Sequence, residues 1–508
     1  MSLYSTELPA SLYTAEQTRA LDRTAIAAGI PGFRLMQRAG HAAFDRLQQR
    51  WPGVKRITIL CGSGNNGGDG FVIAVLAAQQ GIDVQLLCLG NSGFADKLLG
   101  EALEAYQWMR EQGVTEQYYK PGVGFTGELV VDALLGTGLS GAVRGPVVSA
   151  IEQINSCSKP VLAIDIPSGL CSDSGVILGC AVKADLTITF IGLKQGLFTH
   201  QGVDCCGEVV FDSLRVPDEV YESVPVSGFR TCEDDLQALL PPRTASSHKG
   251  SFGHVMVIGG DRGMGGAAIM AAQAAGRAGA GLVSVATRAE HIPALLTRCP
   301  EAMGHSVVSG LELEPLMARA DVLVVGPGLG QGAWGEQLLQ QALSSKKPLV
   351  LDADALNLLH SRGVFGSISG NNFSGNKWVI TPHPGEAARL LNMETAAVQA
   401  DRFFAVERLQ ALFGGTAVLK GPGTLSCDGD AMHLCSAGNP GMASGGMGDL
   451  LSGIVGALLA QGLAYPDAAR LGVYIHATAG DRCAQEHGER GMQATDLLAQ
   501  LRSVVNGK

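Results

Sequence analysis

The sequence predicts an α/β protein with two large domains, and three observations support this. Short, continuous apolar runs alternate with longer helical patterns, as in parallel sheets covered by helices on both faces. A break near the middle separates two series of such elements, and one hydrophobic core rarely serves more than about 300 residues. Glycine accounts for 69 of 508 residues, about twice its usual share. Many of these glycines follow predicted strands, which indicates loops that approach a ligand closely.

Composition excludes several classes of protein. Hydrophobic residues make up 46% of the chain and charged residues 17%, which excludes a disordered chain or a coiled coil. The net charge is −10 and no basic patch is visible, so nucleic acid is not an expected partner. The 12 cysteines are scattered without a Cys-x-x-Cys pair, as in reduced intracellular proteins. Without a leader or a long apolar run, we expect a cytoplasmic protein that does not bind membranes.

The first half begins with two helices and continues as alternating strands and helices. A capping-box pattern from Thr14 to Gln17 predicts a helix that ends near Gly29, and a second helix is predicted over 33–49. Further helices are predicted near 71–79 and over 95–110. Strands are predicted at 56–61, 84–88, 129–134, 161–164, 186–190 and 208–211. This order predicts a Rossmann-like, doubly wound domain over residues 1–225.

Four prolines and an acidic cluster at 233–235 interrupt the alternation between 216 and 246, which predicts a connector. A second α/β domain is then predicted over 226–508. Its helices include an Ala-rich one ending near Arg277 and a helical end over 448–505. Its strands are predicted at 254–258, 282–286, 322–325, 349–351, 379–381 and 417–420, with a hairpin formed by 424–427 and 432–435.

Polar and glycine-rich segments follow three strands of the first domain. The segment Asn-Asn-Gly-Gly-Asp-Gly at 65–70 opens a helix, where backbone N–H groups and the helix dipole favour an anion. An ordinary tight connection is the alternative. Ligands bind outside the carboxyl ends of parallel strands, and the oxygen ligands there suit a hard or monovalent cation. We therefore expect one crevice to collect Asn66, Asp69, Asp132, Asp165 and Ser168.

The second domain carries a longer series of strand-end motifs. Pro382 and Pro384 hold His383 in extended backbone at a strand end. The turn at 420–424 combines a lysine with glycines and suits a phosphate. The glycine-rich segment 441–449 opens an apolar helix, which predicts an anion hole for a transferring phosphoryl group. Asp449 beside it can accept a proton from a substrate hydroxyl, although a plain helix cap is the alternative.

Together these motifs resemble two known families. The segment 445–449 is similar to the ribokinase-like superfamily. Segments 249–253, 326–330, 352–357, 383–386 and 439–449 are more narrowly similar to ADP/ATP-dependent NAD(P)H-hydrate dehydratases. Residues 10–225 resemble NAD(P)H-hydrate epimerases through 65–69, 136–141 and 165–168. The order of the two domains resembles that of the bacterial bifunctional nicotinamide-nucleotide repair enzymes.

The resemblance implies a bifunctional isomerase and lyase that repairs damaged cofactor. Water can add across a double bond of the nicotinamide ring of NADH or NADPH and gives two epimeric hydrates. The first domain would interconvert the R and S hydrates. The second would convert the S hydrate to NAD(P)H at the expense of ADP, by phosphorylation of the ring hydroxyl and elimination. ADP would enter with Mg²⁺, the first domain would hold K⁺, and we expect a homo-oligomer.

The resemblance also implies roles for individual residues. Asp165 and Asp449 would be catalytic, with Asp449 activating the ring hydroxyl. Potassium would be bound by Asn66, Asp132 and Ser168. In the first domain the hydrate would contact Asp165 together with Asn65, Asn66, Gly67, Gly68, Asp69, Gly136, Thr137, Gly138, Leu139, Ser140 and Gly141. In the second domain it would contact Ala267, Gly328, His383 and Asp449, while ADP would be bound by Lys420, Gly421, Pro422, Gly423, Thr424 and Gly448.

One alternative is a small-molecule kinase in the second half joined to a non-catalytic nucleotide-binding module in the first. A kinase would accumulate a phosphorylated product and would not restore NADH. A non-catalytic module would show degraded motifs at 65–69 or at Asp165, and both are intact. The residues therefore favour two active sites.

Overall fold

A computed structural model describes residues 8–361 and 377–508 of the chain. The chain divides into two compact units, one ending at Gly228 and the other comprising Phe229–Lys508. Both are built around parallel sheets with helices, so the predicted fold class is confirmed. Within the described residues, no helix combines the length and apolar character needed to cross a bilayer.

The first unit contains a seven-stranded parallel sheet in the order β4-β3-β2-β5-β6-β7-β9. A separate short pair joins β1 and β8. After β2 the chain adds β3 and β4 on one side, and it then adds β5, β6, β7 and β9 on the other side. The sheet therefore has a switch point between β2 and β5, which opens a crevice at the carboxyl ends of the strands. The strands are β1 Ser11–Tyr13, β2 Arg56–Cys61, β3 Asp83–Cys88, β4 Gln117–Tyr118, β5 Leu129–Ala133, β6 Val161–Ile164, β7 Leu186–Phe190, β8 Leu193–Lys194 and β9 Glu208–Asp212.

The helices of this unit differ from the prediction at two points. The capping box at Thr14 is present, but the helix predicted over 95–110 is divided into a short 3₁₀ turn at Ala95–Lys97 and an α-helix. The predicted start of the third helix near Phe71 is wrong, because that helix begins at Asn65. The helices are α1 Ala15–Ala27, α2 Gly32–Arg50, α3 Asn65–Gln79, α4 Gly100–Glu111, α5 Pro146–Ser156, α6 Gly202–Cys205 and α7 Asp218–Glu222.

Close packing explains why glycines are found inside the first turns of α3. A Cβ on Gly67 would lie 2.0 Å from the carbonyl oxygen of Gly62, and one on Gly70 would lie 2.5 Å from Cys61 Sγ. Neither glycine has a positive φ. These positions therefore need a missing side chain rather than a special backbone conformation, and the helix N-terminus is drawn onto the end of β2.

The sheet of the second unit has the order β13-β12-β11-β14-β15-β16-β17-β18-β19-β10. It is parallel except for the predicted hairpin, where β18 pairs antiparallel with β17 and β19. The polar, partly exposed edge strand β13 was not predicted. The strands are β10 Gly228–Arg230, β11 His254–Ile258, β12 Leu282–Thr287, β13 Met303–Ser306, β14 Val322–Val325, β15 Leu349–Leu351, β16 Trp378–Ile380, β17 Thr416–Leu419, β18 Thr424–Cys427 and β19 Met432–Cys435.

The segment predicted as a connector contains regular structure, namely α7, β10 and α8. Its prolines lie between these short elements instead of preventing them. The end predicted as helical over 448–505 is divided into three helices. The helices are α8 Glu233–Leu239, α9 Gly265–Arg277, α10 Ile292–Arg298, α11 Gly310–Met317, α12 Ala333–Ser344, α13 Asp354–Ser361, α14 Pro384–Leu391, α15 Thr395–Ala400, α16 Arg402–Phe413, α17 Met447–Ala460, α18 Tyr465–His487 and α19 Leu497–Val505.

Helix α17 is buried along nearly its whole length and packs directly on α9. A Cβ on Gly453 would lie 2.1 Å from the carbonyl oxygen of Ala271, and one on Gly456 would lie 2.5 Å from Val324 Cγ2. The two glycines therefore allow α17 to approach both α9 and the sheet. This contact fixes the N-terminus of α17 at the carboxyl ends of the strands.

We expect Gly453→Val to destabilise the second unit by about 2 kcal/mol or more, because the new side chain overlaps the Ala271 backbone and the interior resists overpacking. Thermal unfolding followed by circular dichroism measures the effect. Gly276→Ala in α9 is the matched control, since its Cβ would meet nothing within 4 Å, and it should be neutral or slightly stabilising. Equal melting temperatures for the two variants would contradict the packing argument.

Candidate active site

A cavity of about 740 Å³ lies at the carboxyl ends of the first unit's strands. Its wall includes the N-terminus of α3 and the loop that follows β5, the two elements on either side of the switch point. The first turn of a helix has backbone N–H groups without partners inside the helix, and these favour an anion. Predicted hydrate-binding residues in the wall are Asn65, Asn66, Asp69, Gly136, Thr137, Gly138, Leu139, Ser140 and Asp165.

Three predicted contacts, Gly67, Gly68 and Gly141, are not among the residues lining this cavity. Gly67 faces Gly62, and a Cβ on Gly68 would lie 2.5 Å from Met36 Sδ. Gly141 has a positive φ of 78°, as a tight turn requires. These glycines shape the loops that carry the lining residues, and their direct contact with a ligand stays a prediction.

A buried lysine is paired with Asp165 in the cavity wall. The ammonium group of Lys194, whose side chain is 1% exposed, forms an ion pair with Asp165 Oδ1. It also donates to Thr189 Oγ1 at 2.9 Å and to the carbonyl oxygen of Phe190 at 3.0 Å. Asp165 itself has a φ of +68°, a left-handed conformation that is uncommon outside glycine. The backbone and Lys194 thus both hold this carboxylate in one place.

Asp22, Asp69 and Glu101 line the same cavity, and the pKa values of the two aspartates are raised. Burial, followed by the nearby Asp165 and Asp22, raises the pKa of Asp69 well above its usual value. Burial also raises the pKa of Asp22 to about 6, although Lys194 opposes the shift. The cavity therefore combines Asp69, whose carboxyl pKa is raised by burial, with the ion-paired Asp165, and two carboxyl groups in such different environments suit proton transfer.

The predicted potassium ligands do meet around the backbone of Leu135. Ser168 Oγ donates to Asp132 Oδ1 at 2.6 Å, and Asn66 Nδ2 donates to the carbonyl oxygen of Leu135 at 3.0 Å. Asn66 Oδ1 is buried and has no hydrogen-bond partner among the described residues. Burial raises the pKa of Asp132 to about 6 despite its hydrogen bonds to Ser168. An unpartnered oxygen beside a buried carboxylate fits a monovalent cation.

In the second unit, two glycine-rich turns lie against each other. The backbone N–H of Asp261 donates to the carbonyl oxygen of Gly328 at 2.6 Å. Gly328 has a φ of +60°, and a Cβ there would lie 3.2 Å from the Cβ of Ala267. The structure thus brings together Ala267 and Gly328, which the motifs predicted as hydrate contacts.

His383 caps helix α14 at a neighbouring strand end. Its Nδ1 accepts a hydrogen bond from the Gly385 backbone N–H at 3.0 Å, and its Nε2 lies 3.4 Å from Glu386 Oε1. Burial and the positive charge of Lys420 lower the pKa of His383, so the ring is neutral near pH 7. Half of the side chain is exposed and remains available to a ligand.

Lys420 points away from its own turn, towards the start of α17. Its ammonium nitrogen lies 2.6 Å from Asp352 Oδ1 and 3.9 Å from Glu386 Oε2. Burial lowers the pKa of Lys420, but Asp352 and Glu386 more than compensate and raise it above its usual value. A Cβ on Gly448 would lie 3.1 Å from this ammonium nitrogen. The positive charge of Lys420 therefore lies close to the end of the glycine-rich segment 441–449, here called the anion loop.

Asp449 lies in the first turn of α17, at the end of that loop. Gly446 caps the helix with a φ of +90°, which a residue with a side chain rarely adopts. Burial, followed by Asp352, raises the pKa of Asp449 to about 7, while Lys420 opposes the shift. A carboxyl group that titrates near neutral pH is suited to act as a general base.

The remaining predicted ADP contacts, Gly421 to Thr424, form a turn that is stabilised by hydrogen bonds from a buried arginine. Arg402 donates to the carbonyl oxygens of Leu419, Lys420 and Gly423 at 3.3–3.4 Å. Sequence reasoning missed Arg402 and Lys194, because each contacts a segment whose position is set by the fold. A polar residue within an otherwise apolar segment was the only signal available.

Comparison with known proteins gives a matching family for a part of each unit. Residues 255–503 match the family described as NAD(P)H-hydrate dehydratase, and residues 32–196 match the YjeF-related protein N-terminus. A dehydratase structure from Bacillus subtilis, co-crystallized with ATP and Mg²⁺, is 27% identical and covers 54% of this chain and 96% of its own, with a TM-score of 0.48.

Curated relatives extend over nearly the whole chain. The bifunctional NAD(P)H-hydrate repair enzyme of Coxiella burnetii is 48% identical and covers 97% of this chain and 99% of its own length. The Escherichia coli enzyme of the same name is 44% identical and covers 98% of this chain and 95% of its own. The corresponding protein of Leishmania infantum is 42% identical, with coverage of 93% and 89%. The chain therefore belongs to the family of bifunctional NAD(P)H-hydrate repair enzymes.

Proposed function

We propose that the first unit epimerises the R and S hydrates of NADH and NADPH, and that the second dehydrates the S hydrate to NAD(P)H with ADP. We assign these activities to residues 1–225 and 226–508. The observation that carries the proposal is full-length similarity to bifunctional repair enzymes together with two separate sites, each holding an aspartate suited to proton transfer. This combination also speaks against a kinase joined to a non-catalytic module.

In the epimerase site, the cavity supplies both an acid and a base. The hydroxyl-bearing carbon of the hydrate is next to the ring nitrogen, so loss of the protonated hydroxyl as water leaves an iminium ion. Asp69 is the proton donor for this departure, and Asp165 accepts the proton of the water that adds to the opposite face. The N-terminus of α3 and the loop 136–140 bind the phosphates of the substrate. Lys194 keeps Asp165 in position throughout.

Asn66, Asp132 and Ser168 would hold a potassium ion, together with backbone oxygens near Leu135. The bound ion would supply positive charge that offsets the buried Asp132 and orders the loop after β5. These residues lie outside the cavity wall except for Asn66. Their effect on the substrate is therefore exerted through the loop that carries Gly136 to Ser140.

In the dehydratase site, hydroxide is a poor leaving group and must be converted to phosphate. Asp449 accepts the proton of the ring hydroxyl while that oxygen attacks the terminal phosphorus of ADP, with AMP as the leaving group. Lys420 and the backbone of the loop before α17 offset the charge on the phosphoryl oxygens. The ring nitrogen then expels phosphate to leave an iminium ion, and loss of a proton from the adjacent ring carbon to the departing phosphate restores NAD(P)H. Mg²⁺ would enter on the phosphates of ADP, and Ala267, Gly328 and His383 contact the hydrate.

Recovery of NADH absorbance from a mixture of the two hydrate epimers tests both activities. Wild-type protein with ADP should restore nearly all of the absorbance, with AMP and phosphate as products. Asp165→Asn should leave the S fraction unaffected and slow recovery of the R fraction. A stable phosphorylated hydrate, or no recovery by the wild type, would contradict the proposed function.

We expect Lys194→Met to slow epimerisation by about 100-fold or more, because Asp165 loses the partner that holds it. Dehydration of purified S hydrate should keep its wild-type rate, and an unchanged circular dichroism spectrum and melting curve should show that the first unit is folded. The control is Lys183→Met, which removes an exposed lysine at the entry of the neighbouring strand. Slowing of both phases by both variants would argue against a specific role.

The rate of dehydration should depend on pH through Asp449. Since the carboxylate form is the base and burial raises its pKa to about 7, kcat/KM should fall about tenfold per pH unit below that value. Asp449→Asn should reduce kcat by about 100-fold or more at all pH values. A wild-type profile that is flat between pH 5 and about 8 would exclude Asp449 as the titrating base.

Potassium should stabilise the protein by mass action, since it binds only the folded chain. We expect a rise of a few degrees in melting temperature in potassium chloride relative to tetramethylammonium chloride at the same ionic strength. Asn66→Ala removes the unpartnered oxygen and should abolish this rise. The control Asn155→Ala removes an asparagine that bonds Ala181 and Lys183, and it should keep the potassium effect. An undiminished rise in Asn66→Ala would disprove the assignment.

A further inference from the structure

The carboxylate of Asp352 joins three segments of the dehydratase site. Its Oδ1 accepts from Lys420 Nζ at 2.6 Å, and its Oδ2 accepts from Ser452 Oγ at 2.7 Å. Ser452 Oγ also lies 3.0 Å from the carbonyl oxygen of Gly448. The side chain of Asp352 is only 2% exposed. The end of β15, the turn after β17 and the first turn of α17 therefore meet at one buried carboxylate.

The backbone around Asp352 is held as firmly as its side chain. A Cβ on Gly326 would lie 1.8 Å from the Asp352 carbonyl oxygen, so only glycine allows the neighbouring turn to approach. The next residue, Ala353, has a φ of +48°, and a left-handed alanine persists only where surrounding structure enforces it. These constraints fix the direction in which the carboxylate points.

The position of Lys420 follows from this anchor. Its ammonium group is directed at Gly448, where a Cβ would lie 3.1 Å from Nζ and 3.4 Å from Asp352 Oδ2. Asp449 is the next residue and interacts electrostatically with both Asp352 and Lys420. Without Asp352, no close carboxylate would hold the flexible Lys420 side chain over the first turn of α17, since its other carboxylate contact, Glu386, is 3.9 Å away.

We propose that Asp352 is a positioning residue for phosphoryl transfer, because its carboxylate fixes the Lys420 ammonium group beside Asp449 at the anion loop. The inference rests on the proposed dehydratase activity and adds a residue to it. When the ring oxygen bonds to phosphorus and the bond to AMP breaks, Asp449 takes the hydroxyl proton. Lys420, held by Asp352, offsets the charge on the transferring group. Asp352 itself touches neither substrate.

Asp352 and Lys420 should also affect the titration of Asp449 in opposite directions. The charged groups facing Asp449 are Asp352, Asp354 and Glu386, which raise its pKa, and Lys420, which lowers it. Asp352→Asn removes a negative charge, so the acid limb of the kcat/KM profile should move to lower pH. Lys420→Met removes the positive charge, so the limb should move to higher pH. A loss of stability alone would produce neither movement.

The test compares Asp352→Asn, Lys420→Met and the double variant in the full chain with purified S hydrate and ADP. We expect Asp352→Asn to lower kcat about 100-fold while KM for ADP changes less than about threefold. The double variant should be no slower than Lys420→Met alone, because Asp352 acts through Lys420. Asp321→Asn is the control, since Asp321 accepts from the His254 backbone at the opposite end of the strands.

Two measures keep the inference open to refutation. If a lone buried charge prevents a single variant from folding, two other variants still test the role of Asp352. The double variant removes both charges, and the conservative Asp352→Glu keeps the carboxylate. A carbon-13 NMR titration of Asp449 reads the opposite pKa shifts without turnover, with Asp449→Asn identifying the signal. Wild type that restores no NADH counts against the proposed function. Unchanged titration of Asp449 in both variants, or rate losses that multiply, overturns the role of Asp352.

Discussion

A lysine paired with an aspartate, with one of the two partners buried, is the interaction at the carboxyl ends of parallel strands on which each site depends. Lys194 pairs with Asp165 in the first unit, and Lys420 pairs with Asp352 in the second. Loss of one partner of such a pair typically costs about 3–5 kcal/mol, because the other charge is left buried. Each pair therefore fixes where charge can lie in its site, and the aspartates proposed to transfer protons belong to the pair or lie near it.

The two sites use their pairs differently. In the first unit the paired aspartate is itself the proposed catalytic group, and burial and the nearby carboxylates raise the pKa of the neighbouring Asp69. In the second unit the aspartate paired with the lysine, Asp352, is proposed to position Lys420. A different aspartate, Asp449, has a pKa raised to about 7. Parallel strand ends thus carry a proposed acid–base exchange in one unit and a proposed phosphoryl transfer in the other.

Glycine has two separate roles in these sites. At Gly446 it supplies a left-handed cap that turns the anion loop into α17. At Gly67, Gly70 and Gly453 it removes a side chain so that a helix can approach a strand or another helix. The composition predicted glycines in loops that approach a ligand and did not predict glycines that pack a helix against its neighbours. The second role is equally important, because it places each helix N-terminus close to the strand ends.

Much of the fold was predictable because its strands are continuous apolar runs. Strands such as Arg56–Cys61 and Val322–Val325 have the predicted bounds. Strand β13 was missed because its sequence, Met-Gly-His-Ser, is not an apolar run and is partly exposed; it pairs with β12 in the sheet. The helix start at Asn65 was missed because glycines that pack and glycines that turn look the same in a sequence.

The sequence by itself determined the α/β class and the convergence of motifs at strand ends, since each depends on local pattern or short spacing, and the family resemblance proposed which aspartates are catalytic. Only the tertiary structure decided which aspartates pair with a lysine and which carboxyl groups have a raised pKa. The partners of Lys194 and Lys420 are 29 and 68 residues away along the chain. Strand pairing and helix packing bring them together, and burial then makes the pairing obligatory. The pKa of Asp449 depends on the same long-range contacts, because burial and the Asp352 charge arise only when β15, β17 and α17 meet.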